Sequence, residues 1–133
     1  MKMSAKTILK KGRKIISKSE NWCKISQAQK VKSENEYGYL GTNFTYCGVD
    51  DPLACQWCAS GAMVKAIPKG RRDENLESYN QARRALDMAS GAPSIVALND
   101  HSRTTHDQVI AAFDRAIIIV NTDEVKSWVK RNT

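Results

Sequence analysis

The stretch "YCGVDDPLACQWCASGAM", residues 46–63, decides how this chain is read. It holds three of the four cysteines, with Cys55 and Cys58 spaced as C-x2-C. That spacing serves zinc or thiol chemistry when a second close pair completes the ligand set. The chain offers no second C-x2-C and no H-x3-H; the remaining cysteines are Cys47 and Cys23, and His101 and His106 could contribute, though nothing in their spacing requires it. The triplet "DDP" suggests another reading. Asp51 suits a helix N-cap, and Pro52 suits the first helical position, where its missing N–H costs nothing. The expectation is a helix from Asp51 to about Ile67, stopped before Pro68 and Gly70. Leu53, Ala54, Trp57, Cys58, Ala62, Met63 and Ile67 then fall on more than one side of it, which places it at the centre of the domain. In that reading Cys55 and Cys58 are helix positions three apart and act as small buried hydrophobes. Metal binding by Cys47, Cys55 and Cys58 requires Cys47, on the incoming loop, to fold back over Cys55. A thioredoxin-like pair requires C-x-x-C at a strand-to-helix turn, and no βαβ pattern is read here.

Upstream, Ser4 is a cap for a helix from about Ala5 to Lys18. Ala5, Ile8, Leu9, Ile15 and Ile16 form one apolar stripe, with Gly12 inside it. Gly12 costs roughly 1 kcal/mol relative to Ala, so close approach of a neighbouring helix is expected there. Residues 24–50 read as a hairpin or a long irregular loop. Tyr37/Tyr39 and Phe44/Tyr46 each alternate, with the turn residues "GTN" between them.

Downstream, Asp73 is expected to cap a helix over about 74–89, ended by Gly91. "PSIVALND" reads as one or two helical turns. Thr104-x-x-Asp107 resembles a capping box opening a long helix, and Thr122 is a cap for a short final one. The sum is a mainly α, single compact domain over 1–133, with four to five helices and the excursion at 24–50.

At 133 residues the chain fits one domain. Its net charge of +7 is concentrated: residues 1–32 carry ten Lys/Arg and one Glu, the rest eleven Lys/Arg and thirteen Asp/Glu. An acidic partner is therefore confined mainly to the first helix. No apolar run approaches the roughly 20 residues of a membrane span, and the basic N-terminus lacks the apolar core of a signal peptide. No membrane partner is expected, and a reducing cytoplasm is the expected setting.

Three candidate surfaces follow. Lys6, Lys10, Arg13 and Lys14 lie opposite the apolar stripe and suit phosphates, although one arginine and no interleaved aromatic give little base recognition. Tyr37, Tyr39, Phe44 and Tyr46 could grip a peptide or stack on bases, or simply cover the core. The segment "LNDHSRTTHD" at 98–107 gathers Asn99, Asp100, His101, Arg103 and His106. Asp100/His101/His106 has the residue types of acid–base chemistry, but no nucleophile motif or phosphate loop accompanies it; a helix junction reads equally well. No cofactor is implied.

Trp22 in "NWC", Cys58, Gly61 and Ala62 in "WCASGAM", and Asn99, Asp100, Arg103 and Thr104 before a final amphipathic helix form a sparse pattern over residues 5–120. In this it resembles a family of small uncharacterised proteins from bacteria and phages, departing from it in Asn21 where glycine is usual and in its long aromatic segment. The resemblance implies a helical domain and a phage or prophage setting, with Cys58 in helix packing; it implies no activity. The expected function is a non-enzymatic binding or accessory protein acting on a host protein. The alternatives are a nucleic-acid-binding module on the basic first helix, or a small metal-binding or hydrolytic protein.

Overall fold

Residues 54–57 form a strand, not the first turns of a helix. The computed structural model describes residues 2–38 and 41–132. Among these, the order is α1 (Ala5–Ile15), β1 (Ala28–Val31), β2 (Phe44–Cys47), β3 (Ala54–Trp57), α2 (Ala59–Ala66), α3 (Leu76–Ala89), α4 (Ile95–Asp100), α5 (His106–Ile119) and α6 (Asp123–Asn132). A short 3-10 turn, Ser19–Asn21, precedes the sheet. The domain is mixed α/β, with six helices and a three-stranded antiparallel sheet among the described residues. This corrects the mainly α expectation.

The physical reason lies in Asp51 and Pro52. The same two residues that start a helix also start a turn, with Asp first and Pro second. Here Asp51 Oδ1 accepts the Leu53 N–H at 2.9 Å, and its carbonyl accepts the Ala54 N–H at 2.9 Å. The chain then extends, Trp57 donates its indole N–H back to the Val49 carbonyl at 3.1 Å, and β3 pairs with β1. A short apolar run cannot be assigned to helix or strand by periodicity alone. The helix starts at Ala59, with Cys58 as its N-cap: Cys58 Sγ accepts the Gly61 N–H at 3.3 Å.

The sheet order is β2-β1-β3. Ala28 stands opposite Cys47 on one side and Trp57 on the other, and all three share the face turned toward the helices. Val31, Phe44, Tyr46 and Gln29 share the opposite face. Phe44 and Tyr46 are thus in a strand, as the hairpin reading expected, but their partner is Ala28–Val31. Pairing with β1 buries Ala28 completely, whereas Tyr37 is 95% exposed on the connecting loop. Tyr39 lies outside the described residues.

The helices enclose one core. α1 packs against α2, α3 and α5, and α3 against α5 and α6. Ile8, Leu9, Met63, Leu86 and Phe113 are fully buried, each worth ~1.5–3 kcal/mol of transfer free energy. A Cβ on Gly12 would lie 3.3 Å from both Met63 Cγ and Phe113 Cε1, so the glycine marks the close approach expected of it. Ser4 caps α1 through the Thr7 N–H at 3.1 Å, and α1 ends at Ile15, short of Lys18. Gly91 follows α3 at φ 68°.

Two caps differ from expectation. α3 begins at Leu76 after Asn75, not at Asp73. The Asn75 side chain is engaged elsewhere, accepting the Met3 N–H at 2.6 Å and donating to the Arg71 carbonyl at 2.8 Å. The capping box of α5 is Thr105 with Gln108, one residue beyond Thr104/Asp107. Thr122 does stand immediately before α6, its carbonyl accepting the Lys126 N–H at 3.1 Å, while its hydroxyl donates back to the Ile119 carbonyl at 2.7 Å.

Candidate functional site

The loop 22–27 threads between the end of β3 and the carboxyl end of α4, and the sparse motif residues meet there. Trp22 bridges Trp57 in parallel, with the Cys23 N–H donating to the Trp57 carbonyl at 3.1 Å. A parallel ladder would continue with the Ala59 N–H donating to the Cys23 carbonyl. Instead the carboxamide of Asn99 is inserted between them. Asn99 Oδ1 accepts the Ala59 N–H at 3.0 Å, and Asn99 Nδ2 donates to the Cys23 carbonyl at 3.1 Å. Oδ1 also accepts the Trp22 indole N–H at 2.7 Å, and Nδ2 also donates to Asp100 Oδ1 at 2.9 Å. Asn99 is 1% exposed, and its four hydrogen-bonding positions are filled.

Further bonds fasten the loop to the turn after α4. Asp100 Oδ1 accepts the Ile25 N–H at 2.7 Å. Lys24 Nζ donates to the His101 carbonyl at 2.6 Å and lies 5.6 Å from the Trp22 ring centroid. Ile25 is held at φ 74°, a conformation costly for a β-branched residue, and its side chain is exposed. Behind the loop, the Gly61 position faces Gln27: a Cβ there would lie 2.0 Å from the Gln27 carbonyl oxygen. Trp22, Cys58, Gly61, Asn99 and Asp100 are therefore one constellation. Neither Lys24 nor Ile25 carries a signal in sequence, since their roles come from the carbonyls and carboxylate opposite them.

The proposed acid–base group is not assembled as a relay. Asp100 is committed to Ile25 and Asn99. His101 Nδ1 accepts the Arg103 N–H at 3.1 Å. His106 Nε2 donates to the Ile16 carbonyl at 2.6 Å, and its ring stands 5.7 Å from that of Trp22. His101 and Arg103 line a shallow groove with Ala97, Leu98 and Gln108.

The cysteines separate along the sheet. β1 lies between Cys47 on β2 and Cys55 on β3, which puts the two roughly 10 Å apart across two strand spacings. Cys47 does not fold back over Cys55. Cys55 and Cys58 are three extended residues apart, about 10 Å. Among the described residues no three His, Cys, Asp or Glu side chains gather as a metal site. The C-x-x-C does sit at a strand-to-helix junction, but its reach along the strand separates the thiols. Burial pushes the Cys23 thiol up, reinforced by Cys58 and Asp100 nearby. Burial and Asp51 push the Cys47 thiol up, against Lys30.

On α1, Lys6, Lys10 and Lys14 are exposed, and none is ion-paired among the described residues. Arg13 differs: its Nε lies 2.6 Å from Asp114 Oδ1 on α5. Phe44 and Tyr46 stand on the outer face of the sheet beside Val31. No described helix is long and apolar enough to cross a membrane.

No curated protein and no solved structure matches the chain. A family model described as a family of unknown function (DUF6197) matches residues 1–118, which include every member of the Trp22–Asn99 constellation and end within α5. The chain belongs to this family of unknown function.

Proposed function

We propose that the protein is a non-enzymatic binding protein that meets its partner through the lysine face of α1, and that the partner presents a row of phosphates, as a nucleic acid does. The observation that carries this reading is the unpaired series Lys6, Lys10, Lys14. Like charges at i, i+4 destabilise a helix by ~0.2–0.5 kcal/mol per pair. The first turn of α1 has no acidic residue to complement the helix dipole. Neither cost is relieved inside the described chain, and local rules broken without internal compensation are a mark of function. A phosphate row relieves both costs and releases its own counterions. Lysines serve backbone phosphates rather than base edges, so binding is insensitive to sequence. The apolar stripe of α1 is buried in the core, which leaves nothing on this helix to insert into a bilayer and favours nucleic acid over a lipid surface.

The test is fluorescence anisotropy with a labelled short duplex across a salt series. Binding should weaken with salt by about 0.9 log units per log unit for each phosphate contacted. Replacing Lys6, Lys10 and Lys14 together by Gln should flatten that slope by roughly two to three. Arg13→Gln should change it little, because Arg13 is already paired. Absence of binding at low salt rejects the reading.

A second reading rests on a different observation. Ile25, Val31, Tyr37, Tyr46 and Leu53 are five of the eight large apolar residues exposed among the described residues. This clustering in 25–53 favours a protein partner, in keeping with an accessory factor of phage or prophage origin acting on a host protein in the cytoplasm. Capture from host lysate with and without Val31→Glu and Tyr46→Glu tests it; equal recovery by both forms removes it.

A further inference from the structure

We propose that Cys23 and Cys58 are a reversible dithiol–disulfide pair, a redox modification site that latches the 22–27 loop to the amino end of α2. The sequence draws attention to Cys55 and Cys58, but the fold gives Cys58 a different neighbour. The Trp22–Trp57 bridge is parallel, and Cys23 and Cys58 are the residues that follow its two partners in the chain, Cys58 just past the end of β3. Residues side by side on adjacent strands point to the same face and lie ~5 Å apart. The Cys23 N–H bond to the Trp57 carbonyl, at 3.1 Å, holds the chains together on the near side of the Asn99 carboxamide, and we infer from it a spacing close to that of adjacent strands, ~5 Å, inside the roughly 4.4–6.8 Å that a disulfide spans. Both cysteines are 7% exposed, and both bond to the loop 24–27, which belongs to no strand or helix: the Ser26 carbonyl accepts the Cys23 thiol, and the Gln27 carbonyl accepts the Cys58 N–H at 3.2 Å.

The two sulfurs are differently placed. Cys58 Sγ accepts the Gly61 N–H at 3.3 Å and lies 3.3 Å from Ser60 Oγ at the start of α2. Cys23 Sγ donates to the Ser26 carbonyl at 3.6 Å, and burial pushes its thiol up. With hydrogen peroxide as oxidant, the Cys58 sulfur attacks one peroxide oxygen and the O–O bond breaks. Cys58 becomes a sulfenic acid and one water leaves. The Cys23 sulfur then attacks the sulfenic sulfur, forming S–S, and the sulfenic oxygen leaves as a second water with the Cys23 proton. Two thiols lose two electrons and one peroxide becomes two waters. A dithiol reductant reverses the bridge. Cys47 and Cys55 lack this relation, because β1 stands between them.

The experiment treats the full-length reduced protein with hydrogen peroxide, alkylates the remaining thiols in denaturant, and maps non-reduced peptides by mass spectrometry. Expected is a Cys23–Cys58 peptide pair lighter by two hydrogens and released by dithiothreitol, with free thiols falling from four to two. The variant carrying Cys47→Ser and Cys55→Ser should still form it. Cys58→Ser should not, and it should stay folded, since serine is a preferred N-cap. The proposal is overturned if the bridge joins any other pair, if all four thiols survive, or if oxidation stops on one sulfur without a linked peptide.

Discussion

Trp22 donates its indole N–H to Asn99 Oδ1 at 2.7 Å across 77 residues of chain. That one oxygen also receives the first N–H of α2, so a single side chain joins the 22–27 loop, the central helix and α4. A buried amide with every position filled rigidifies its surroundings, and loss of any part leaves several groups dry and unpaired. Asn99→Ala strands the Ala59 N–H, the Cys23 carbonyl and the Trp22 indole. The expected cost is about 3–5 kcal/mol. Asn99→Asp should cost a comparable amount, because it removes both donors and faces Asp100 with a like charge. Trp22→Phe, which strands less, should cost about 1–2 kcal/mol. Urea denaturation orders the three; an Asn99→Ala loss under about 1 kcal/mol contradicts the keystone role.

Two helical glycines separate under the same substitution. Gly61→Ala drives a Cβ to 2.0 Å from the Gln27 carbonyl oxygen, backbone against backbone. Neither side has a flexible end to move, so the 22–27 loop must detach or the protein fails to fold. Gly12→Ala meets Met63 Cγ and Phe113 Cε1 at 3.3 Å. A gain of roughly 1 kcal/mol in helix propensity offsets that crowding, and the net change should stay within about 1 kcal/mol. Thermal melts of both variants make the comparison; equal losses would contradict it.

What was legible in the sequence is what local chemistry decides. Ser4, the apolar stripe of α1 and Gly91 each act within one turn of their own position, and each is where it was expected. The sheet was not legible, because β1 is only Ala28-Gln29-Lys30-Val31 and its partners lie up to 29 residues away, Ala28 standing opposite Trp57. Asp51-Pro52 encodes a start without saying what starts; pairing of β3 with β1 decides it. The constellation was half legible: Trp22, Cys58, Gly61, Asn99 and Asp100 stood out as a sparse pattern. Their shared purpose needed the fold, since an asparagine inserted into a strand ladder has no spacing rule.

The start of α5 tests a one-residue difference. Thr105 Oγ1 accepts the Gln108 N–H at 3.3 Å, and Gln108 Oε1 accepts the Thr105 N–H at 2.9 Å. Thr105→Ala should cost about 1 kcal/mol. Asp107→Ala should cost no more than a few tenths, since its carboxylate contributes only the dipole interaction. If chemical denaturation finds Asp107→Ala the more damaging, the capping box is the one read from Thr104.

Arg72 and Asp50 link the turn before β3 to the carboxyl end of α2, and the link carries a pH signature. Arg72 Nε donates to the carbonyls of Val64 at 3.1 Å and Ile67 at 3.2 Å, while Nη2 donates to Asp50 Oδ1 at 2.9 Å. The hydrogen bond from Arg72 holds the Asp50 carboxyl below its ordinary value of 3.8, and burial opposes that only in part; the charge of Arg72 and that of Lys65 add to the lowering. A carboxyl lowered in the folded state stabilises the fold above the ordinary value, and that contribution disappears as pH falls through the lowered one. Asp50→Asn should therefore cost about 1 kcal/mol near neutral pH, the scale of a partly exposed charge-assisted pair. The gap between wild type and variant should close as pH falls well below the ordinary value. Urea midpoints at neutral and strongly acidic pH measure it. A gap that persists undiminished in acid would mean that Asp50 acts through shape alone and that its charge contributes nothing to the clamp.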